Sequence, residues 1–507
     1  MKRVKMLLKK RWTGLACLLV MFFLVGHAQA APKYVFFFIG DGMAAVQTAA
    51  VESYLAAKLG DDAVVGNTKQ VKLAMSQFPV QGMITTYADD QLITDSAAAG
   101  TALACGYKTG VGVVGMATDK ETSLKSIAEL AKEKGMKVGI VSSVSIDHAT
   151  PASFYAHQPT RGNYYEISME LAASGFDYFG GGGIKRPTGN DGEQSSSIDA
   201  AIANGYTLVT DRATLEALTP GGKVLAYNHT LDGSKALYYD IDRPADHLSL
   251  AEFTKSGIEL LTGDAGFFMM VEGGKVDWAC HANDARTAID DTIAFDNAIK
   301  EAVEFYANHP DETLIVVTGD HETGGMTVGF AGTQYATFYE ILEKQTMSYD
   351  AFQSKYQAML DAGQPLTDVI ALVTEAFGLS FLSDAERTSL ETAAAAGDEA
   401  AAQALRLSFD SDETEDIVAA YTMSMTPRGD RDYGSRENIL YGGYDPLTVT
   451  LTHILNRKAG IGWTTYSHTG VPVPVYAMGS AADLFAGYYD NTAIATKFAD
   501  AMGVTLP

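Results

Sequence analysis

The sequence predicts an α/β fold: a large, mostly parallel central sheet with helices on both faces, plus a mainly helical insertion. Three observations lead there. Short apolar runs alternate with helical patterns in the early and late parts of the chain. Those runs are continuous rather than alternating in polarity, which is how strands covered on both faces of a parallel sheet read. Each run is also followed by a turn carrying Gly, Asp, His or Glu, whereas residues 349–407 are rich in Ala, Leu, Glu, Gln and Lys at helical spacing.

Taken in order, residues 1–30 read as a secretory signal: a basic start, an apolar run from Leu15 to Val25, then Ala28-Gln29-Ala30 before Ala31. That run of about 11 residues falls short of the roughly 20 that span a bilayer, and no later stretch is long and apolar enough. Cys17 stands inside the apolar core rather than after it, so a lipid anchor is not expected. The predicted strands are Tyr34–Ile39, Val138–Val141, Phe267–Val271, Leu314–Val317 and Val473–Ala477. A helix is predicted to begin at Ser96, with the serine as an ordinary N-cap in its plainest reading. Gly180–Gly183 lacks the Lys-Ser/Thr of a phosphate-binding loop and reads as a turn after a strand.

The catalytic α/β unit is expected over 31–330 and 445–507, with the insertion over 331–444. Within the insertion, Ser383 and Glu386 form a capping box before a helix running towards Ala394. The acidic run Asp410, Asp412, Glu413, Glu415 and Asp416 lacks the central Gly of a calcium loop and reads as a solvated turn. Asn228-His229-Thr230 matches a glycosylation sequon. After cleavage the mature chain keeps Cys105 and Cys280, too few for a disulfide framework, and both are expected to be packing residues.

Charge excludes one class of partner. The net charge is −25, and removing the six basic residues of 1–30 leaves −31 for the remainder. A body this acidic lacks the basic surface that nonspecific nucleic-acid binding needs. It is compatible with binding multivalent cations.

Open α/β sheets bind ligands beyond the carboxyl ends of their strands, so one crevice could collect all the strand-end turns. Asp41 ends the first strand between two glycines that leave its carboxylate room to bridge ions. Ser96 would place its hydroxyl at a helix N-terminus, whose free N–H groups suit a phosphoryl group. No Gly-x-Ser-x-Gly surrounds it, so an activated Ser96 would rely on metal rather than a histidine base. Asp277 and His281, four apart, point the same way on a helix, with Glu272 at the preceding strand end. Asp320 and His321 follow Thr313–Thr318 directly, and His468 sits in a Ser-His-Thr-Gly turn. Each residue alone has an ordinary structural reading; their joint, repeated placement describes a hydrolytic centre with several metal ions.

With these residues assembled, the chain resembles the alkaline phosphatase family over almost all of its mature length except the insertion. The motifs are Ile-Gly-Asp-Gly-Met, Thr-Asp-Ser-Ala-Ala-Ala-Gly-Thr-Ala, His-Ala-Thr-Pro-Ala-Ser, Val-Glu-Gly-Gly-Lys-Val-Asp-Trp-Ala-Cys-His, Thr-Gly-Asp-His-Glu-Thr-Gly-Gly and Ser-His-Thr-Gly. The resemblance implies a three-layer sandwich, two zinc ions and one magnesium. Asp277, His281 and His468 would hold one zinc; Asp41, Asp320 and His321 the second, with Ser96 as its reactive ligand; Asp41, Thr150 and Glu272 the magnesium. Arg161 would grip phosphate oxygens through its fork of donors, oriented by Asp95. His148 and Trp278 stand where the best-known bacterial branch has Asp and Lys, so His148 joins the expected ligands and the third ion's identity stays open. The implied reaction is hydrolysis of phosphate monoesters through a phosphoserine, by an exported enzyme; members of the family are commonly homodimers, but a long insertion can cap or replace that interface, so the oligomeric state stays open. A diesterase, phosphonate hydrolase or sulfatase of the same superfamily is the nearest alternative, and a secreted metal-binding or adhesion protein a more distant one. Arg428-Gly429-Asp430 is read as a chance match to an adhesion tripeptide.

Overall fold

The computed structural model describes residues 31–59 and 71–507, so the expected signal segment lies outside the described residues. Its spine is a ten-stranded sheet. In chain order the strands are β1 (Tyr34–Gly40), β2 (Val80–Thr85), β3 (Lys137–Ser142), β4 (Tyr178–Gly181), β5 (Tyr206–Val209), β6 (Lys223–Tyr227), β7 (Phe267–Glu272) and β8 (Thr313–Gly319). After them come the two-residue strands β9 (Glu322–Thr323), β10 (Thr327–Val328), β11 (Ile461–Gly462) and β12 (His468–Thr469), then β13 (Val473–Gly479) and β14 (Gly487–Asp490). Across the sheet they run β14-β2-β13-β8-β1-β7-β3-β4-β6-β5.

The unbroken apolar runs have a direct cause. On β1, Tyr34, Phe36 and Phe38 enter one core while Val35, Phe37 and Ile39 enter the other, because successive side chains of a strand point to opposite faces. β7 and β8 divide in the same way, Met269 and Val317 to one side and Met270 and Val316 to the other. The first core is closed by helices that include Ala45–Ala57, Leu250–Leu261 and Ala285–Asn308. Over the second lie Ser96–Cys105, Ile127–Glu133, Tyr164–Ala173 and Thr492–Met502.

β13 departs from the parallel pattern. It pairs antiparallel with both β8 and β2, although its apolar run reads like those of its neighbours. A strand covered on both faces carries no sequence mark of its direction. The reversal has a consequence: the segment before β13, not the one after it, meets the carboxyl ends of the other strands, and that segment holds His468.

Between β10 and β11 the chain makes a helical excursion, through Tyr349–Asp361, Leu366–Phe377, Asp384–Ala395, Glu399–Arg406, Ser411–Ser424, Ser435–Tyr441 and Pro446–Ala459. It leaves and returns side by side, Val328 opposite Ile461 and Thr327 opposite Gly462. Ser383 and Glu386 do form a capping box at the start of Asp384–Ala395. The acidic run is a helix start rather than a turn: Asp410 caps Ser411–Ser424 reciprocally with Glu413, where negative charge complements the helix dipole. The sequon is buried at its acceptor, since Asn228 is 4% exposed. Cys105 and Cys280 are free and buried. Among the described residues, no helix is long and apolar enough to cross a membrane.

Candidate active site

The strand ends of β1, β3, β7 and β8 deliver their following residues to one edge of the sheet, and the loops after β2 and before β13 reach the same place. Asp41 follows β1. Gly42 beside it has φ +73°, and a Cβ there would lie 2.8 Å from the Asp277 backbone, so only glycine allows this approach. The Gly42 N–H and the His321 N–H both donate to Asp320 Oδ1, at 3.1 and 2.9 Å. That leaves Oδ2 of Asp320 facing His321 Nε2 at 3.3 Å, with Asp41 Oδ1 at 3.4 Å from the same nitrogen.

Asp95, not Ser96, caps the helix Ser96–Cys105: its Oδ1 accepts from Ala98 N at 3.0 Å and from Gly112 N at 3.0 Å. Capping therefore does not use the Ser96 hydroxyl, whose Oγ instead lies in hydrogen-bond contact with His321 Nε2 at 3.2 Å. The second oxygen of Asp95 accepts from Arg161 Nη1 at 3.0 Å, while Arg161 Nη2 lies 3.3 Å from His148 Nε2. Burial works against charge on Asp95, yet Arg161 and the two backbone donors hold its carboxyl below the usual range.

Asp277 and His281 lie on the short helix Lys275–His281. His281 Nε2 is 3.4 Å from Asp277 Oδ2 and 3.1 Å from His468 Nε2, and His468 Nε2 is 3.7 Å from Asp277 Oδ1. The other ring nitrogen of each histidine faces a backbone carbonyl: His281 Nδ1 that of Tyr466 at 2.6 Å, His468 Nδ1 that of Thr94 at 2.8 Å. A proton on each Nδ1 leaves both Nε2 lone pairs turned inward, the tautomer a metal ligand needs.

The third group is Asp41, His148 and Glu272, with ligand atoms within 4.8 Å of one another. Thr150 Oγ1, Glu272 Oε1, His148 Nδ1, both oxygens of Asp41 and Asp320 Oδ2 are buried without a hydrogen-bond partner. So many orphaned acceptors together fit divalent cations, and hard carboxylate oxygens beside imidazoles suit magnesium and zinc. Electrostatics agrees. Burial first, then neighbouring carboxylates such as Asp320 and Asp277, push Asp41 well above the ordinary range; burial and Asp277 do the same to Asp320. Glu272 is pushed up to about 7, chiefly by burial. Asp277 alone is held well down against burial, by His281 and His468.

Trp278 stands edge-on to His148, ring centroids 5.7 Å apart, and the Lys275 ammonium lies 4.7 Å from the Trp278 ring centre. The candidate site residues therefore meet at one edge of the sheet. Sequence reasoning missed Thr323, whose hydroxyl donates to Asp277 Oδ1 and lies 3.3 Å from His321 Nδ1, and Ser142, which donates to Glu272 Oε2. Thr323 could have been found as the next inward-facing position after His321; Ser142, at the end of an apolar strand, carried no signal.

Fold and site together fit one class, the metal-dependent hydrolases. The alkaline phosphatase family model matches residues 32–504. Alkaline phosphatase 3 of Bacillus subtilis is 33% identical over 473 residues, which cover 91% of this chain and 87% of that protein. The crystal structure of a cold-active alkaline phosphatase from a psychrophilic Shewanella is 29% identical, with a TM-score of 0.70, covering 92% of this chain and 99% of that one. The Thermus thermophilus alkaline phosphatase, 24% identical, shares the fold with a TM-score of 0.73. The chain belongs to the alkaline phosphatase family, and it is a phosphomonoesterase.

Proposed function

We propose that this phosphomonoesterase is exported and works through a phosphoserine formed on Ser96, with two zinc ions and one magnesium. The observation that carries the reading is the Ser96 hydroxyl at the start of a helix, spared from capping by Asp95 and set 3.2 Å from His321 Nε2. Asp277, His281 and His468 would hold one zinc, Asp41, Asp320 and His321 the other, and Asp41, Thr150 and Glu272 the magnesium, with His148 beside it. When bound, these ions supply Lewis acidity: they acidify the serine hydroxyl and a water, and neutralise charge on the phosphoryl and leaving oxygens.

The chain's own residues do the rest. Ser96 Oγ attacks phosphorus in line, the bond to the alcohol oxygen breaks, and the alcohol departs carrying a proton. Arg161, steadied by Asp95, binds two non-bridging oxygens through its fork of donors and holds the group in line. The free N–H groups of the first helical turn at Ser96 favour the same negative charge. Water then attacks the phosphoserine from the opposite side, returning Ser96 and releasing inorganic phosphate. Because the grip is on the phosphoryl group, many alcohols are accepted. Residues 1–30, basic and then apolar, support export, and a homodimer is part of the same reading.

The test is Ser96→Ala together with an acid quench. The variant should lose at least about a thousandfold in kcat, as expected when a nucleophile is removed. Wild-type enzyme quenched during turnover should carry one phosphate on the peptide containing Ser96. Turnover by Ser96→Ala at the wild-type rate would overturn the assignment.

A further inference from the structure

We propose a separate transition-metal site, with zinc as its ion, formed by His229, Asp246 and His247 at the carboxyl end of β6. One ligand atom from each lies within 4.8 Å of the others, and the trio shares no residue with the catalytic clusters. The two imidazole rings stand 5.0 Å apart at 76°, edge to face rather than stacked. His229 and Asp246 are exposed, so an ion has a path in, whereas His247 is 3% exposed and fixed.

The scaffold under the trio is rigid. Asn228, buried next to His229, binds the backbone of Leu248 twice: its Nδ2 donates to the carbonyl at 3.0 Å and its Oδ1 accepts from the N–H at 2.9 Å. The two segments that carry the ligands are therefore locked to each other one residue away from the ligands. Arg243 and Arg212 donate to the His247 carbonyl at 3.2 and 3.4 Å, fixing that backbone again. Thr230 Oγ1 lies 2.9 Å from His247 Nε2. Were Thr230 to accept a proton held on Nε2, Nδ1 would be the nitrogen left to take an ion, and the Thr230 contact would be the outer hydrogen bond that metal-bound histidines ordinarily show.

Two imidazoles and one carboxylate are a borderline donor set that suits zinc, copper or nickel rather than calcium or magnesium. Three protein ligands leave a fourth tetrahedral position to water. Such a site would tie the β6 loop to the loop before the helix Leu250–Leu261, so its role is to fasten that end of the sheet.

The experiment counts zinc. Full-length enzyme already loaded with its catalytic ions is dialysed against micromolar free Zn2+, and bound zinc per chain is measured for wild type, His229→Ala and Asp246→Asn. Wild type should hold one zinc more than either variant, and both variants should keep wild-type phosphatase turnover, which also shows that they fold. Thr230→Val should weaken the extra zinc about 10–100-fold, the usual cost of losing such a hydrogen bond. Equal zinc in wild type and both variants, or an extra zinc indifferent to Thr230→Val, would overturn the proposal.

Discussion

Each histidine at the sheet edge is governed by what its second nitrogen does. His281 and His468 spend Nδ1 on carbonyls, His321 faces Thr323, and so three Nε2 atoms converge. Those partners come from Tyr466, Thr94 and Thr323, distant in sequence from the ligands they orient or too ordinary to stand out. The candidate ligands were legible because Asp and His past apolar strands are chemically unusual; a carbonyl that any residue supplies is not. His157 shows the opposite use of an imidazole, as a structural cation. It lies between Glu170, 3.3 Å from Nδ1, and Glu129, 3.5 Å from Nε2. Burial opposes its charge, but the two glutamates raise its pKa from 6.5 to about 10. A raised folded value means the stabilisation is complete below 6.5 and is lost as pH climbs through about 10. His157→Gln should therefore be less stable than wild type by about 2 kcal/mol at pH 6, the scale of a hydrogen bond to a charged group. Urea unfolding at a series of pH values should show the difference shrinking above neutrality.

At the scale of elements, the sheet's centre was readable and its margins were not. β1, β7 and β8 bury every residue and advertise themselves as unbroken apolar runs. β2 does not: Gln81 and Met83 are both exposed, only Ile84 is fully buried, and Gly82 interrupts it. β4 ends in two glycines that read as a turn, and the edge strand β5 exposes Thr207. The direction of β13 was invisible, yet it decides how His468 arrives. Once there, His468 is held by a two-residue ladder, opposite Thr323, while Thr469 lies opposite Glu322. Glu322 binds this corner together: it accepts from Met326 N and Gly325 N at 3.1 Å each, from Gln47 Nε2 at 3.0 Å, and from the Thr469 hydroxyl. It touches no candidate ion position itself. Glu322→Ala should leave the fold intact but loosen the β9–β12 ladder, and with it the placing of His321 and His468. Release of metal from the candidate site to a chelator should quicken about 10–100-fold, as for other losses of supporting hydrogen bonds. Unchanged release would show that the ladder holds without its carboxylate.

For the molecule as a whole, the site is a charge problem solved at one edge of an otherwise apolar sheet. Asp41, Glu272, Asp277 and Asp320 are almost wholly buried, and the chain around them is itself acidic. Metal ions held there would relieve that repulsion, so their binding free energy would also be folding free energy; saturation a thousandfold above Kd contributes about 4 kcal/mol per ion. Removing them by chelation should abolish turnover and lower the melting temperature, and the loss should depend on pH. Glu272 has an ordinary value of 4.5 but is pushed up to about 7 in the fold, chiefly by burial. A carboxyl raised in the folded state makes the unfolded chain bind fewer protons, so stability falls as pH rises from 4.5 through about 7. Asp41 and Asp320, raised also, act with the same sign. Chelated enzyme should thus lose more stability at pH 8 than at pH 5.5, relative to metal-loaded enzyme whose buried carboxylates face cations instead of protons. Calorimetry of both forms across that range checks it: equal losses at the two pH values would mean that the buried carboxyl cluster is not what the ions neutralise.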